Sequence, residues 1–395
     1  MKEMKILVIV NIFCVSAMMA FLSVVGPITR ELNLQEWHAG VTVAIAGVLW
    51  VFFSRYWGKK SDKTGRKPIL FLGVLGVAIG YFALAVFIDY ALISPPVIFI
   101  SLAVLVITRG IIGVFYAAIT PVSNALIADE IDEKHRTPYI AKLGASNGMG
   151  MVLGPVLGGM LAIYGLAVPL YAFALLPLIA ALLIFFFIPT VKIHKTKEPP
   201  SPKILDPRLR VPMLAAFLTM YAVVTSQVCL GFFVIDILKF DMAKSAQVTG
   251  YILSFVGVMF IIAQIFVSRF KDVTPVHWLQ YGALIAMFGF VVVSLSTTQL
   301  FLTIGFCISA FGMGFIFPAF QTLAVNLVDK EERGAASGTV SAAQGLGMIV
   351  GPLASTFLYE VSPIAPFAFA ALAFGGLLFI SFEELRRNKI ESCIR

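Results

Sequence analysis

The sequence predicts an all-α membrane protein whose twelve transmembrane helices form two six-helix, pseudo-symmetric halves. Composition supports this fold class, because 59% of the 395 residues are apolar and the mean hydropathy is +0.96. A soluble domain of this length would need a far more polar exterior. Repeated apolar runs have the length of about 20 residues that a helix needs to cross a bilayer. Two segments, one in each half, also match at a constant spacing.

The apolar runs give the predicted spans in order. The first run follows Lys2 and Lys5; it is too long for a signal peptide and lacks a clear A-x-A cleavage site, so we expect an uncleaved first span. The twelve spans are predicted near residues 6–29, 38–56, 68–90, 97–127, 138–163, 166–189, 211–237, 246–268, 276–296, 299–327, 335–359 and 364–382.

The longest polar break predicts the domain boundaries. Residues 190–210, TVKIHKTKEPPSPKILDPRLR, are rich in Lys and Pro and lie almost at the midpoint of the chain. This composition is typical of a linker. We therefore expect an N-terminal half over residues 1–189, a cytoplasmic linker over 190–210, a C-terminal half over 211–385 and a cytoplasmic tail over 386–395.

Lys and Arg are distributed unevenly along the chain. The N-terminus, the even-numbered loops, the linker and the C-terminus, with the adjoining span ends, hold 25 of the 29. The odd-numbered loops hold only Arg30, Lys239 and Lys244. Because positive loops stay on the cytoplasmic side, both termini are predicted to be cytoplasmic, in the inner membrane if the source is a Gram-negative bacterium. The net charge of +8 is then a topology signal beside anionic lipid, and no nucleic-acid partner is expected.

Several function classes lack their sequence signatures. The four cysteines show no paired spacing that would indicate a disulfide or a zinc site, so we expect no metal and no cofactor. The sequence has no G-x-x-x-x-G-K-[ST] loop for ATP hydrolysis and no H-E-x-x-H or G-x-S-x-G motif of an intramembrane enzyme. All 21 acids lie in loops, tails or predicted span ends.

An internal repeat relates the two halves. The segments 144-GASNGMGMVLGP-155 and 341-SAAQGLGMIVGP-352 are identical at six of twelve positions, at an offset of 197 residues. The same offset pairs Pro121 with Pro318. Parallel six-helix repeats with a substrate path between them are one way in which membrane transporters are built.

Three stretches resemble motifs of the major facilitator superfamily. The segment 58-GKKSDKTGRKP-68 is similar to the family's loop 2–3 motif, with Gly58, Asp62, Lys63, Gly65, Arg66 and Lys67 at the motif positions. The G-x-x-x-G-P-x-x-G-G motif of the twelve-span drug and metabolite antiporter branch is matched by Gly150, Gly154, Pro155, Gly158 and Gly159. The R-x-x-x-G motif is matched in part by Arg109 and Gly113. With the repeat, the resemblance covers essentially the whole chain and implies the major facilitator fold.

The resemblance implies that the loop 2–3 motif latches the cytoplasmic helix ends together when the protein opens outward, with Asp129 as the partner of Arg66. Elementary chemistry agrees: Gly58 would allow close backbone approach, Asp62 could lie at a helix N-terminus, and Arg66 could bind a carboxylate bidentately. The alternative is that the bases only fix orientation, although orientation alone requires neither Gly58, Asp62 nor Gly65.

The glycines of span five predict a close helix contact. Gly150, Gly154 and Gly158 recur every four residues and form one stripe, against which another helix could pack. Pro155 removes one backbone hydrogen bond and could bend the helix, which would help to seal a substrate path. A structural and a mechanistic role both stay open here. The spacing in 148-GMGMVLG-154 does not fit a dinucleotide-binding loop.

Arg109 is the one basic residue deep inside a predicted span. A charge at this depth is costly and normally faces the protein interior or a cavity, so we expect Arg109 on a substrate or proton pathway. Other interior polar residues could each bond a neighbouring helix, or could together line a cavity for an amphipathic ligand. These residues are Asn11, Tyr116, Asn147, Tyr221, Gln227, Gln264 and Gln321.

Taken together, these features favour a monomeric secondary transporter that exports drugs or small metabolites by alternating access. The family resemblance implies protons as the coupling ion, but the sequence offers no mid-span carboxylate to carry them. A second transporter hypothesis is export of an anionic metabolite such as a siderophore. An intramembrane enzyme and a non-transporting receptor are the alternatives from other classes; the first lacks catalytic motifs and the second lacks a sizeable soluble domain.

Overall fold

The computed structural model of the chain describes residues 2–131, 137–189, 206–270, 272–329 and 332–394. Over these residues all regular secondary structure is helical, with thirteen α-helices and the short 3-10 helices Ala162–Tyr164 and Pro207–Leu209. The α-helices are α1 (Lys2–Glu31), α2 (Glu36–Thr64), α3 (Arg66–Ile93), α4 (Ile98–Tyr116), α5 (Ile119–Glu130), α6 (Thr137–Leu161), α7 (Val168–Phe187), α8 (Arg210–Asp236), α9 (Met242–Arg269), α10 (Pro275–Ser294), α11 (Gln299–Asn326), α12 (Arg333–Val361) and α13 (Ala365–Ile394).

Twelve helical stretches in the described ranges are long and apolar enough to cross a membrane, because α4 and α5 together make the single stretch Ile98–Glu130. The predicted twelve-span, all-α fold is confirmed. Large apolar side chains also cover the outside of these helices: Phe52, Phe99, Phe186 and Leu372 are each between 69% and 80% exposed. Such a surface suits hydrocarbon and not water.

Two compact units divide the chain. One comprises residues 1–197, 230–235 and 239–254, and the other comprises residues 198–229, 236–238 and 255–395. In the first unit α1 packs mainly on α6 and α7, and α4 packs on α2 and α3; in the second, α10 packs on α11 and α13. Most of the predicted linker, residues 190–205, lies outside the described residues, and the predicted tail is the end of α13 as far as Ile394.

A single residue joins α2 to α3. The sequence predicts a loop over residues 58–68, whereas α2 continues to Thr64 and α3 begins at Arg66. Gly65 between them has φ +101°, a backbone conformation that residues with a side chain rarely adopt. The glycine of the motif therefore makes a tight corner that places the end of α2 beside the start of α3.

Span four has a break near its middle, which the sequence did not predict: two residues between α4 and α5 keep helical dihedral angles but leave the regular hydrogen-bond pattern. Helix α4 ends at Tyr116 and α5 begins at Ile119. The backbone N–H of Ala118 donates to the Phe115 carbonyl, one residue short of its α-helical partner, at 3.1 Å. Pro121 follows and has no backbone N–H to continue the helical hydrogen bonds.

Candidate functional site

Arg66 is the centre of a buried charge cluster at the corner between α2 and α3. Its Nε donates to Asp129 Oδ2 on α5 at 2.8 Å, and both side chains are only 6% exposed. Its Nη1 donates to Ser61 Oγ at 2.7 Å and also to Asp62 Oδ1. Arg66 therefore bonds two carboxylates through separate nitrogens and holds neither of them bidentately. The contact between α3 and α5 is a charge-assisted hydrogen bond shielded from solvent.

Two details of the predicted cluster differ from the structure. Asp62 lies in the last turn of α2 and not at the start of a helix, and its side chain is 48% exposed. A side chain at Gly58 would meet nothing closer than the Pro121 Cβ at 4.0 Å, so no close backbone approach among the described residues requires this glycine. The predicted reasons for Asp62 and Gly58 are therefore wrong for this arrangement of the helices.

Ser61 also belongs to this cluster, although its sequence position alone did not predict it. Its hydroxyl accepts from Arg66 at 2.7 Å and donates to the Gly58 carbonyl at 2.7 Å in the same helix. Ser61 precedes Asp62 and lies five residues before Arg66. A continuous helix through residue 64 would have placed it near Arg66, but the motif was expected to be a loop.

The glycine stripe of α6 packs against α1. A Cβ at Gly150 would lie 2.6 Å from the Val15 Cβ, and one at Gly154 would lie 2.5 Å from the Ser16 carbonyl oxygen. Gly158 is as close, because its Cβ would lie 2.7 Å from the Ser23 Oγ. These distances leave no room for a methyl group, so the stripe lets the two helices approach at backbone distance. Helix α6 continues through Pro155 without a break.

The second unit repeats this contact at the offset seen in the sequence. A Cβ at Gly347 of α12 would lie 2.5 Å from the Phe217 carbonyl oxygen of α8, and one at Gly351 would lie 3.3 Å from the Tyr221 carbonyl oxygen. Gly347 and Gly351 correspond to Gly150 and Gly154. The repeated sequence thus makes the same kind of close helix pair twice.

Gly159, the last residue of the motif, faces a different helix. A Cβ on Gly159 would lie 2.7 Å from the Gly250 Cα of α9, and a Cβ on Gly250 would lie 2.7 Å from the Gly159 Cα. Both residues belong to the first unit. The motif therefore has two faces, one for α1 and one for the beginning of α9.

Arg109 lies in the interior of the first unit. It is 2% exposed, and its guanidinium carbon stands 4.6 Å from the centre of the Phe21 ring, a cation–π contact with α1. Tyr81 of α3 interacts with it electrostatically, while its Nε and Nη1 have no hydrogen-bond partner. A buried guanidinium with two unsatisfied nitrogens is unfavourable unless a ligand or another state of the protein satisfies it.

Asn11 and Asn147, predicted separately from different spans, lie in contact. The Asn11 amide donates to Asn147 Oδ1 and to Ser146 Oγ, both at 2.7 Å, and is 2% exposed. Asn147 is half-buried, so it is the member of this group that other molecules can reach. Tyr116, also half-buried, ends α4 two turns after Arg109.

The other predicted polar residues belong to the second unit. Tyr221 is 2% exposed, its hydroxyl has no hydrogen-bond partner, and its ring meets the Phe369 ring edge-on at 5.6 Å. Gln227 and Gln264 are half-buried, and Gln321 is exposed. Four of the predicted pathway residues therefore belong to the first unit and four to the second. That all eight line one path stays a prediction.

The carboxylates that the structure describes within candidate spans lie near the ends of helices. Asp236, the last residue of α8, accepts from the Tyr359 hydroxyl at 3.0 Å, and Asp89 accepts from the Tyr171 hydroxyl at 3.2 Å. No group of three His, Cys, Asp or Glu residues that could hold a metal ion occurs in the described part of the chain.

Comparisons with known proteins agree along nearly the full length of the chain. A profile of the family described as Major Facilitator Superfamily matches residues 6–352 and 281–390. The chain is 28% identical over 369 residues to the tetracycline resistance protein, class C, of Escherichia coli, covering 89% of this chain and 87% of that protein. It is 23% identical over 408 residues to the quinolone resistance protein NorA of Staphylococcus aureus, strain MRSA252, covering 96% of each.

A solved structure is similar in fold. The crystal structure of a bacterial homolog of the human lysosomal transporter Spinster, in an inward-facing and occupied conformation, superposes with a TM-score of 0.75. It covers 96% of this chain and 94% of that one at 14% sequence identity. At this identity the likeness concerns the fold alone.

Proposed function

Because this chain belongs to the Major Facilitator Superfamily, a family of membrane transporters and not of enzymes, we propose that it exports drugs or other small amphipathic molecules in exchange for protons. Transport would proceed by alternating access, with the two six-helix halves moving about a site near the middle of the membrane. The observation that carries this proposal is the match to drug-resistance relatives over most of both chains.

The charge cluster supports a conformational role for the loop 2–3 motif. Arg66 ties α3 to Asp129 on α5, and the half-exposed Asp62 can change its partner more easily than the buried Asp129 can. In the proposed cycle this cluster biases the equilibrium between inward-open and outward-open states. The proposed substrate contacts are Asn147 in the first unit and Tyr221 in the second. Asn11 holds the Asn147 side chain by a hydrogen bond.

The proposed setting is the cell membrane, with both termini in the cytoplasm and a single chain as the working unit. The unequal distribution of Lys and Arg supports this orientation. If the source is a Gram-negative bacterium, the membrane is the inner one. The lipid bilayer and protons are the partners besides the substrate.

Export of an anionic compound is the second candidate function. Arg109 supports it, because its Nε and Nη1 have no hydrogen-bond partner and either could donate to a carboxylate, and the described spans carry no acid near it. A positive site would disfavour permanent dications, whose desolvation would go uncompensated. Proton coupling would then use the substrate's own protonation or a carboxylate at a span end, such as Glu31 or Asp236.

Everted membrane vesicles test both candidates. Matched cationic, neutral and anionic compounds are added to energised vesicles that contain the protein, and proton release and compound uptake are measured together. Vesicles without the protein and vesicles with Arg109→Gln are the controls. We expect uptake coupled to proton release, with neutral or anionic compounds preferred and the preference lost in Arg109→Gln. Uptake without proton movement contradicts the coupling, and a dication preference that Arg109→Gln leaves unchanged contradicts the charge argument.

A further inference from the structure

The break in span four leaves one backbone carbonyl available to a side chain. In a continuous helix the Ala118 N–H would donate to the Val114 carbonyl, but here it donates to Phe115. The indole Nε1 of Trp57 on α2 donates to the Val114 carbonyl instead, at 2.7 Å, and the Trp57 side chain is 7% exposed. A side chain from a neighbouring helix thus satisfies the group that the break would leave without a partner.

The C-terminal half of the sequence supplies an internal comparison. Pro318 corresponds to Pro121 at the offset of 197, yet α11 continues from Gln299 to Asn326 through Pro318. At the same offset the counterpart of Trp57 is Ser254, whose hydroxyl bonds the Gly250 carbonyl of its own helix at 2.5 Å. The proline alone therefore does not break the helix, and the half that is broken is the half that has the indole.

The packing around the break holds the end of α4 against α3, and α5 itself packs on α1, α2, α3 and α6. The Phe115 ring lies against Gly76 of α3 so tightly that a Cβ there would be 2.2 Å from it, and the Ala118 Cβ is 2.7 Å from the Cβ position of Gly73. Helix α5 then carries Asp129 to Arg66. The two residues between α4 and α5, together with the packing of α5, therefore place Asp129.

We propose that Trp57 is a positioning residue for transport, which rests on the function proposed above. Its indole N–H stabilises the broken form of span four, and the broken form directs Asp129 onto Arg66. When the Ala118 N–H returns to the Val114 carbonyl, the span becomes continuous, the direction of α5 changes and Asp129 separates from Arg66. The two residues between α4 and α5, here called the joint, thereby connect the segment of span four that carries Arg109 to the charge cluster.

The test compares two tryptophans of the same helix. Trp57→Phe keeps an aromatic ring but removes the N–H donor, and Trp50→Phe is the matched control, because the Trp50 Nε1 is buried without a hydrogen-bond partner. Spin labels on cysteines at the exposed positions Lys60 and Asn124 report the distance from α2 to α5 in a full-length chain without its natural cysteines. A second pair, Lys60 and Ile107, reports the distance from α2 to α4.

In Trp57→Phe we expect a second Lys60–Asn124 distance to gain about fivefold in population, the size expected for one lost neutral hydrogen bond, with the Lys60–Ile107 distance unchanged. Trp50→Phe should alter neither. Pro121→Ala restores a backbone N–H for a continuous helix and should shift the same distance. Its effect should not add to that of Trp57→Phe in the double variant. Pro318→Ala should leave the distance unchanged. An unchanged Lys60–Asn124 distance in Trp57→Phe overturns the proposal.

Transport measured on the same variants separates this proposal from the function on which it rests. Slower transport per folded molecule in Trp57→Phe, together with the distance shift, supports the positioning role. A lower melting temperature with normal transport per folded molecule overturns it, since the contact would then be structural only. If the distances shift but the wild type moves no compound, the joint stands and the proposed function fails.

Discussion

Gly26 of α1 and Gly231 of α8 meet at backbone distance, but the contact is not symmetric. A Cβ at Gly26 would lie 3.0 Å from the Gly231 carbonyl carbon, whereas a Cβ at Gly231 would lie 3.5 Å from the Gly26 Cα. At the first distance the Gly231 backbone would have to shift by a few tenths of an ångström, whereas the second is an ordinary van der Waals contact. Both residues belong to the first unit.

Gly26→Ala and Gly231→Ala are therefore expected to differ, although both add one methyl group to a helix. The gain in helix propensity is the same for both. Gly26→Ala should destabilise the crossing of α1 and α8 by about 1–3 kcal/mol through overpacking, and Gly231→Ala should be neutral or slightly stabilising. Thermal unfolding of the two variants in detergent measures the difference. Equal melting temperatures would contradict the asymmetry.

Removing Arg66 should destabilise the protein more than removing Asp62. Arg66→Ala leaves the Asp129 carboxylate, 6% exposed, without its partner, and breaking a buried ion pair costs about 3–5 kcal/mol. Asp62→Asn affects a side chain that is 48% exposed, so abundance and melting temperature should change little while transport slows. Adding Asp129→Asn to Arg66→Ala should recover much of the stability. No recovery in the double variant would show that Asp129 is not the charge left unpaired.

Arg109 should behave in the opposite way to Arg66, although both arginines are buried. Because Arg109 Nε and Nη1 have no hydrogen-bond partner, Arg109→Met removes an unsatisfied charge and should leave the melting temperature unchanged or raise it. Transport should nevertheless fall by at least tenfold, if the charge is retained for function at the expense of stability. Arg66→Met serves as the control that should lose stability. A large loss of stability in Arg109→Met would mean that the guanidinium is satisfied in the folded protein.

The orientation in the membrane can be measured with single cysteines. A cysteine at a position within 190–210 should react with an impermeant thiol reagent only from the cytoplasmic side, because this segment itself carries six Lys and Arg residues. One at Thr297 should react only from the outside. Thr297 is preferred to Thr298, whose hydroxyl caps the start of α11. Reaction of both positions from the same side would contradict the twelve-span topology.

The sequence was sufficient to predict the spans because their signal is compositional. A membrane helix must satisfy its own backbone in lipid, so long apolar runs have few alternatives. The glycine stripe of α6 was predictable as a close contact, since spacing alone places Gly150, Gly154 and Gly158 on one face. Its partner α1 was not predictable, because many helices could offer a suitable surface.

The sequence was insufficient where one residue type has several outcomes. Pro121, Pro155 and Pro318 all lie inside apolar runs, yet only the first follows a break. We attribute the difference to Trp57, which is distant in sequence and reaches Val114 only in the folded chain. The corner at Gly65 was missed for a related reason: a charged, glycine-containing stretch is typical of a loop, and its positive φ is visible only in the structure.

The burial of the Arg66–Asp129 pair also shields this pair from changes in ionic strength. Mobile ions screen charges over about 8 Å at physiological salt, but only where water surrounds the charges. The exposed pair Arg208–Glu332, at 46% and 49% exposure, is open to this screening, whereas Arg66 and Asp129 are not. The corner between α2 and α3 should therefore hold its pairing across the salt concentrations that a cell membrane meets, while surface pairs loosen and tighten with them.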